Sequence, residues 1–321
     1  MAKVYWIGGS STDWSTAANW SGAAVPVDGD DVFIENNAVN IDAGLGQNAI
    51  QLNNLTIDQS YTGLIGTTSA YLVIGASGDV NIGQKNAAGK GSGSKRIKID
   101  FRDDTPTSPK IIVHNTASSA QESLLPPVRL LTNHASATLT VLSGNVGLAV
   151  DNSAETSTVG DVIVGDGSDA TVDVGPGVTV TNVTVSGGTC TLRSAATTVR
   201  VNGGTFNKRE DGDLTTLESD GGTSNVEGSC AITTVNVDSG TCYLNNTGTI
   251  TTLTVNNDGV ADLTQNLSAR TVTNISVYKG FTLKLDRQVV TVTNGIDFIR
   301  SGPQDGTIDL GRDMNLAISN V

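Results

Sequence analysis

Basic charge is scarce in this sequence. Only 19 Lys and Arg stand against 32 Asp and Glu, a net charge of −13 in 321 residues. Phosphate contacts need clustered Lys and Arg, so this balance argues against a nucleic-acid surface. Cysteine is scarcer still: Cys190, Cys230 and Cys242 form no short-spaced pair. An odd count argues against a closed disulfide framework, and the three read as reduced, buried small hydrophobes. No run of 18 apolar residues occurs, so no membrane-spanning helix is expected. The opening "MAKVYWIGGSSTDW" has no apolar stretch behind a basic start. The expectation is a protein that stays in the cytosol or leaves it by assembly or lysis.

What is abundant is turn chemistry. Charged residues make up 16% of the chain, well below the usual quarter, while Gly alone contributes 37 residues. Such a composition belongs to many short strands joined by tight turns, with enough apolar residues, at 37%, to fill a core.

Self-similarity gives those strands an order. Thr-Thr-aliphatic recurs at Thr197-Thr198-Val199, Thr215-Thr216-Leu217, Thr233-Thr234-Val235 and Thr251-Thr252-Leu253, a strict spacing of 18. Looser copies lie outside, Val183 being 16 residues before Val199 and Ile275 being 22 after Leu253. Within each copy, apolar and polar residues alternate with the period of a strand, as at Val235 and Val237. Gly203-Gly204, Gly221-Gly222 and Ser239-Gly240 then turn the chain. A second strand is marked by Cys190 and Leu192, by Val226, and by Cys242 and Leu244, and a third by Leu214, Ile232 and Ile250. Cys242 aligns with Cys190, Phe206, Ser224 and Val260.

Three strands and three turns in 18 residues cannot fold back as hairpins and keep one apolar face inside. Winding satisfies every copy at once, each strand pairing in parallel with its equivalent one turn away. The expected fold is therefore all-β, a parallel β-helix of about 18 residues per turn. A right hand is expected from the usual hand of parallel crossovers; a left-handed coil of hexapeptides is the alternative. "DDVFIENNAVNIDAG", "AIQLNNLTIDQS" and "SAYLVIGASGDVNIG" fit the same reading less strictly, with Leu55 and Leu72 about one turn apart.

Four segments follow: an N-terminal cap or docking segment over 1–30, first turns over 31–84, a loop excursion over 85–130, and β-helix repeats over 131–321. The cap holds all three tryptophans, Trp6, Trp14 and Trp20, suited either to blunting the open end of a solenoid or to docking on a partner. Between Lys85 and Pro127 the excursion holds seven of the 19 basic residues and four of the seven prolines. Lys85, Lys90, Lys95 and Arg96 in "GQKNAAGKGSGSKR" are candidates for gripping an acidic neighbour, against a plain solvated loop.

Catalytic patterns were weighed on the same footing. "NKREDGDL", with Lys208, Arg209, Glu210, Asp211 and Asp213, is the densest charged cluster and reads as a solvated turn before it reads as catalysis. "GDGSDATVD" at 165–173 does not match a calcium-binding repeat, and His114 and His134 are too few and too isolated for zinc or a triad. No cofactor or metal is expected.

The opening carries a resemblance. Trp6, Gly8, Gly9, Trp14, Asn19, Trp20, Pro26, Asp30, Asp31, Val32 and Ile34 follow a pattern that resembles the start of bacterial and phage β-helical proteins. "VTVSGGTCTL" is similar to the glycine-threonine repeats of autotransporter passengers, although the signal peptide and C-terminal membrane barrel of that group are not expected here. The likeness is to virion structural proteins of tailed bacteriophages. It implies a non-enzymatic, trimeric capsid decoration protein on the virion surface, assembled in the host cytoplasm. Its partner would be the major capsid protein or another virion protein, with no membrane and no nucleic acid. The alternatives are a tailspike or fibre that binds host glycan and, behind it, a polysaccharide-degrading β-helix enzyme.

Overall fold

A computed structural model of the chain describes residues 2–84, 96–101, 108–114, 126–151, 154–165, 169–286, 288–299 and 306–310. Its contacts divide into two units, Met1–Ser194 and Ala195–Val321. Each is a parallel β-solenoid built on two sheets, and the only helices among the described residues are the short 3-10 turns Ala17–Asn19 and Ser21–Ala23.

In the first unit, one sheet stacks Lys3–Tyr5, Asp31–Ile34, Asn54–Asp58, Val80–Gln84, Lys110–Val113, the end of Val128–Val141, Ser157–Val164 and Val178–Val185, all parallel. One inward column runs Val32, Leu55, Val80, Ile111, Leu139, Val162, Val183, each beside the next and each buried. A second sheet stacks Gly46–Leu52, Leu72–Ala76, Ile97–Phe101, the start of Val128–Val141, Gly144–Leu148, Ala170–Val174 and Thr189–Leu192. Period-two alternation explains the columns: one side chain of each pair points in, and burying an aliphatic one contributes about 1.5–3 kcal/mol.

The second unit keeps the strict period. Over 196–255, Leu214, Ile232 and Ile250 lie in one column and Leu217, Val235 and Leu253 in another; the next step in the second column, to Ile275, is 22 residues. Two glycines show why the turns repeat. Gly222 and Gly240 have φ of +63° and +74°, and a Cβ on either would stand 2.5 Å from the carbonyl oxygen of the glycine one turn earlier. Only glycine permits both the backbone and the close stack.

Several expectations are corrected. Turns average roughly 21 residues, and the period of 18 belongs to 196–255. A turn has two strands where three were expected. Leu214, Ile232 and Ile250 open the same strands that carry Leu217, Val235 and Leu253, because the Thr-Thr pair places two residues outward in succession. The ladder starts at Lys3, inside the segment assigned to the cap, since Lys3–Tyr5 pairs with Asp31–Phe33. Leu55 and Leu72 lie in different sheets. Cys242 faces Ala261 where Val260 was expected, shifted by the extra residue in the turn at Asn257-Asp258.

The largest correction concerns 85–130. Ile97–Phe101 and Lys110–Val113 inside it are ladder strands, with Ile97, Ile99, Phe101, Ile111 and Val113 buried. In sequence the basic and proline-rich signals fall between these strands or, as with Lys98 and Lys110, on positions that alternate with the buried ones.

Candidate functional site

The three tryptophans are the first candidates. Trp20 packs edge-on against both Trp6 and Trp14, with ring centres 5.1 and 4.5 Å apart. The Trp6 indole N–H donates to Val39 O at 3.1 Å, and that of Trp20 to Trp14 O at 2.7 Å. Trp6 is 2% exposed and the other two 0%. A ring with no free face cannot anchor a partner, so the burial of Trp6, Trp14 and Trp20 speaks against the docking role expected of them and makes them packing residues of the N-terminal segment.

One buried asparagine organises that cap. The Asn19 side-chain oxygen accepts from the Ser10 and Ser11 backbone N–H groups, and its amide donates to Ser11 Oγ and Asp13 O. Its own carbonyl accepts from Ile7 and Gly8. Asp30 ties the cap down, its carboxylate accepting from the backbone N–H groups of Ala2 and Val27.

The basic candidates divide. Lys85, Lys90 and Lys95 lie outside the described residues. Arg96 is 4% exposed, its guanidinium 4.7 Å from the centre of the Tyr71 ring and donating to the Tyr71 hydroxyl at 3.3 Å. It is no free docking cation, and that expectation too is corrected. Around it the fold gathers residues that the sequence did not single out together. Arg129 also lies over Tyr71, at 4.5 Å, and pairs with Asp151. Lys98 pairs with Asp151 at 2.6 Å and with Glu155 at 3.1 Å. These partners are 22 to 57 residues apart, so no local motif marks them.

The "NKREDGDL" corner was expected to be solvated, and at Lys208 it is not. Lys208 is 0% exposed and occupies a core position, in register with Val226 and, one turn on, Leu244. Its ammonium donates to the carbonyl oxygens of Arg209, Glu210 and Asp211 at 2.9, 3.1 and 3.0 Å. All three donors are used, which makes burial of the charge tolerable although burial lowers the pKa of the amine.

The rest of the corner bonds along the solenoid at a separation of 18. Arg209 pairs with Glu227, Ser229 donates to Asp211, and the Ala231 backbone N–H donates to Asp213 at 2.8 Å. Arg200 Nε donates to Glu218 at 2.6 Å, Asn225 to Asn207 at 2.9 Å, and Asn256 to Asp238. Arg270, 4% exposed, repeats the Lys208 device by donating to the carbonyls of Leu263 and Asn266.

The thiols are core residues. Burial pushes Cys190 and Cys242 up to about 12 and Cys230 to about 11, from an ordinary value of 9.0. A raised folded-state pKa gives stability that is fully present below the unfolded value and lost as pH rises through the folded one. Between about pH 9 and 11 each thiol should therefore cost about 1.4 kcal/mol per pH unit. Urea midpoints measured across that window should fall steeply, and Cys242→Ala should flatten the fall. An unchanged slope would show that Cys242 ionises equally well in the folded state.

Comparison of the chain with family models, with curated proteins and with solved structures returned no match.

Proposed function

We propose that this chain is a non-enzymatic structural protein of a virion, a decoration protein that assembles as a homotrimer on the outer surface of the head and docks on the major capsid protein. The observation that carries the reading is how the chemistry-bearing residues are spent. Lys208 is bound to three carbonyls, and Arg209, Asp211, Asp213, Glu218 and Glu227 each bond one turn away. A carboxylate held to the next turn contributes to rigidity, and rigidity is what a decoration protein needs. The opening pattern from Trp6 to Ile34, similar to β-helical phage proteins, supports the same reading.

The test is electron microscopy of particles made with and without the protein. Density on the head that disappears with the protein is the expected result; density lost only at the tail would move the assignment to a glycan-binding tailspike. Sizing of the isolated protein at micromolar concentration should give three copies, and a strict monomer would contradict the trimer.

A further inference from the structure

In the second sheet of the first unit, Lys98 and Arg129 are direct neighbours across the ladder, flanked by the buried Ile97, Ile99, Val128 and Leu130. Like charges directly opposite each other repel and destabilise a sheet. In a chain with 19 basic residues against 32 acidic ones, placing two of them so, with Arg96 close by, requires an anion. Two carboxylates supply it. Asp151 bridges Lys98 and Arg129, Glu155 takes the Lys98 ammonium, and the Asp151 backbone N–H donates to Glu155 at 3.1 Å.

Two features distinguish this arrangement from a closed staple. The side chains of Lys98, Asp151 and Glu155 keep 22%, 21% and 13% of their surface exposed, so water and solutes reach the ion pairs. Pairs with such access contribute little net stability and exchange readily. Arg129, by contrast, is 9% exposed, and its Nε–H has no hydrogen-bond partner among the described residues. A donor is thus left over beside the Tyr71 ring once Asp151 is in place.

We propose that Tyr71, Lys98 and Arg129 form a binding face for an acidic peptide segment with two carboxylates four residues apart, and that Asp151 and Glu155 occupy it in cis. The spacing is that of the residues seated there, and use of the Asp151 backbone N–H favours peptide over polysaccharide. An incoming segment competes with the tethered carboxylates, so apparent affinity is reduced by the fraction of time the face is open. The inference does not depend on the virion reading.

The test uses the full chain and a labelled peptide of its own residues 149–156, followed by fluorescence anisotropy. Asp151→Asn/Glu155→Gln should bind the peptide at least about tenfold more tightly than the unaltered protein, because the competitor is gone. Binding should weaken as salt approaches about 1 M and vanish when Arg129→Gln is added. Absence of binding by a double variant with an unchanged melting curve overturns the proposal, as does binding that survives Arg129→Gln. So does binding of an oligouronate in place of the peptide. If the double variant does not fold, Glu155→Gln alone keeps the Asp151 bridge and should show a smaller gain; no gain would overturn the proposal equally.

Discussion

Asn19→Ala should destabilise the N-terminal cap by about 3–5 kcal/mol, one of the two largest single-residue effects expected in this protein. Asn19 is fully buried, and its side chain serves two backbone N–H groups, two hydroxyls and one carbonyl. Truncation takes their partner from those groups, at about 1–3 kcal/mol for each one shielded from water; Asn19 is fully buried, whereas Ser10 and Ser11 are exposed. Asn19→Asp keeps the acceptor and loses the amide donors, so its loss should be smaller. The readout is favourable because Trp6, Trp14 and Trp20 are the only tryptophans. Fluorescence therefore reports the cap, while far-ultraviolet circular dichroism reports the strands. In Asn19→Ala the fluorescence transition should move to lower denaturant and precede the dichroism transition; coincident, unshifted curves would show that Asn19 does not hold the cap.

Lys208→Ala should cost about 3–5 kcal/mol, for two separable reasons. Truncation removes the stem from a core column beside Val226, and removes the ammonium bonded to the carbonyls of residues 209–211. Lys208→Met retains most of the stem and none of the donors. If volume dominates, methionine restores most of the loss, as Val226 and Leu244 at equivalent positions suggest it fits. If the carbonyls dominate, methionine remains nearly as destabilised as alanine. The three hydrogen bonds favour the second outcome, with at least half the loss retained in denaturant melts. A Lys208→Ala protein as stable as the original would show that the corner holds itself.

These two residues mark how far the sequence can be read. The turn-forming repeat was legible because Thr197-Thr198, Thr215-Thr216, Thr233-Thr234 and Thr251-Thr252 keep one spacing, and equal spacing fixes register. Lys208 was legible in principle: counting 18 back from Val226 lands on it, yet its place in a charged run suggested a solvated turn. The buried role of Asn19 left no such trace, since an asparagine beside tryptophans fits a cap or a docking surface equally well. Strand Ile97–Phe101 alternates plainly, but the lysines, glycines and prolines around it suggested a loop. The face of Tyr71, Lys98 and Arg129 was illegible for a physical reason. Turn spacings in the first unit vary, from 18 between Val172 and Cys190 to 31 between Val80 and Ile111, so residue separation does not reveal which side chains meet.

The stacking of one turn on the next is set by register, and register can be measured directly. Thr216 and Thr234 are partners one turn apart on the outward side of the second unit, and Thr252 is the next in line. Parallel neighbours stand about 4.8 Å apart, within disulfide range, while positions two turns apart stand at about 9.6 Å and are not. Thr216→Cys/Thr234→Cys should therefore close a disulfide on mild oxidation of the folded protein, and Thr216→Cys/Thr252→Cys should stay open, as read by peptide mass mapping. Free thiols in the first variant, or a bond in the second, would contradict the stacking on which the fold, the fasteners and the proposed function depend.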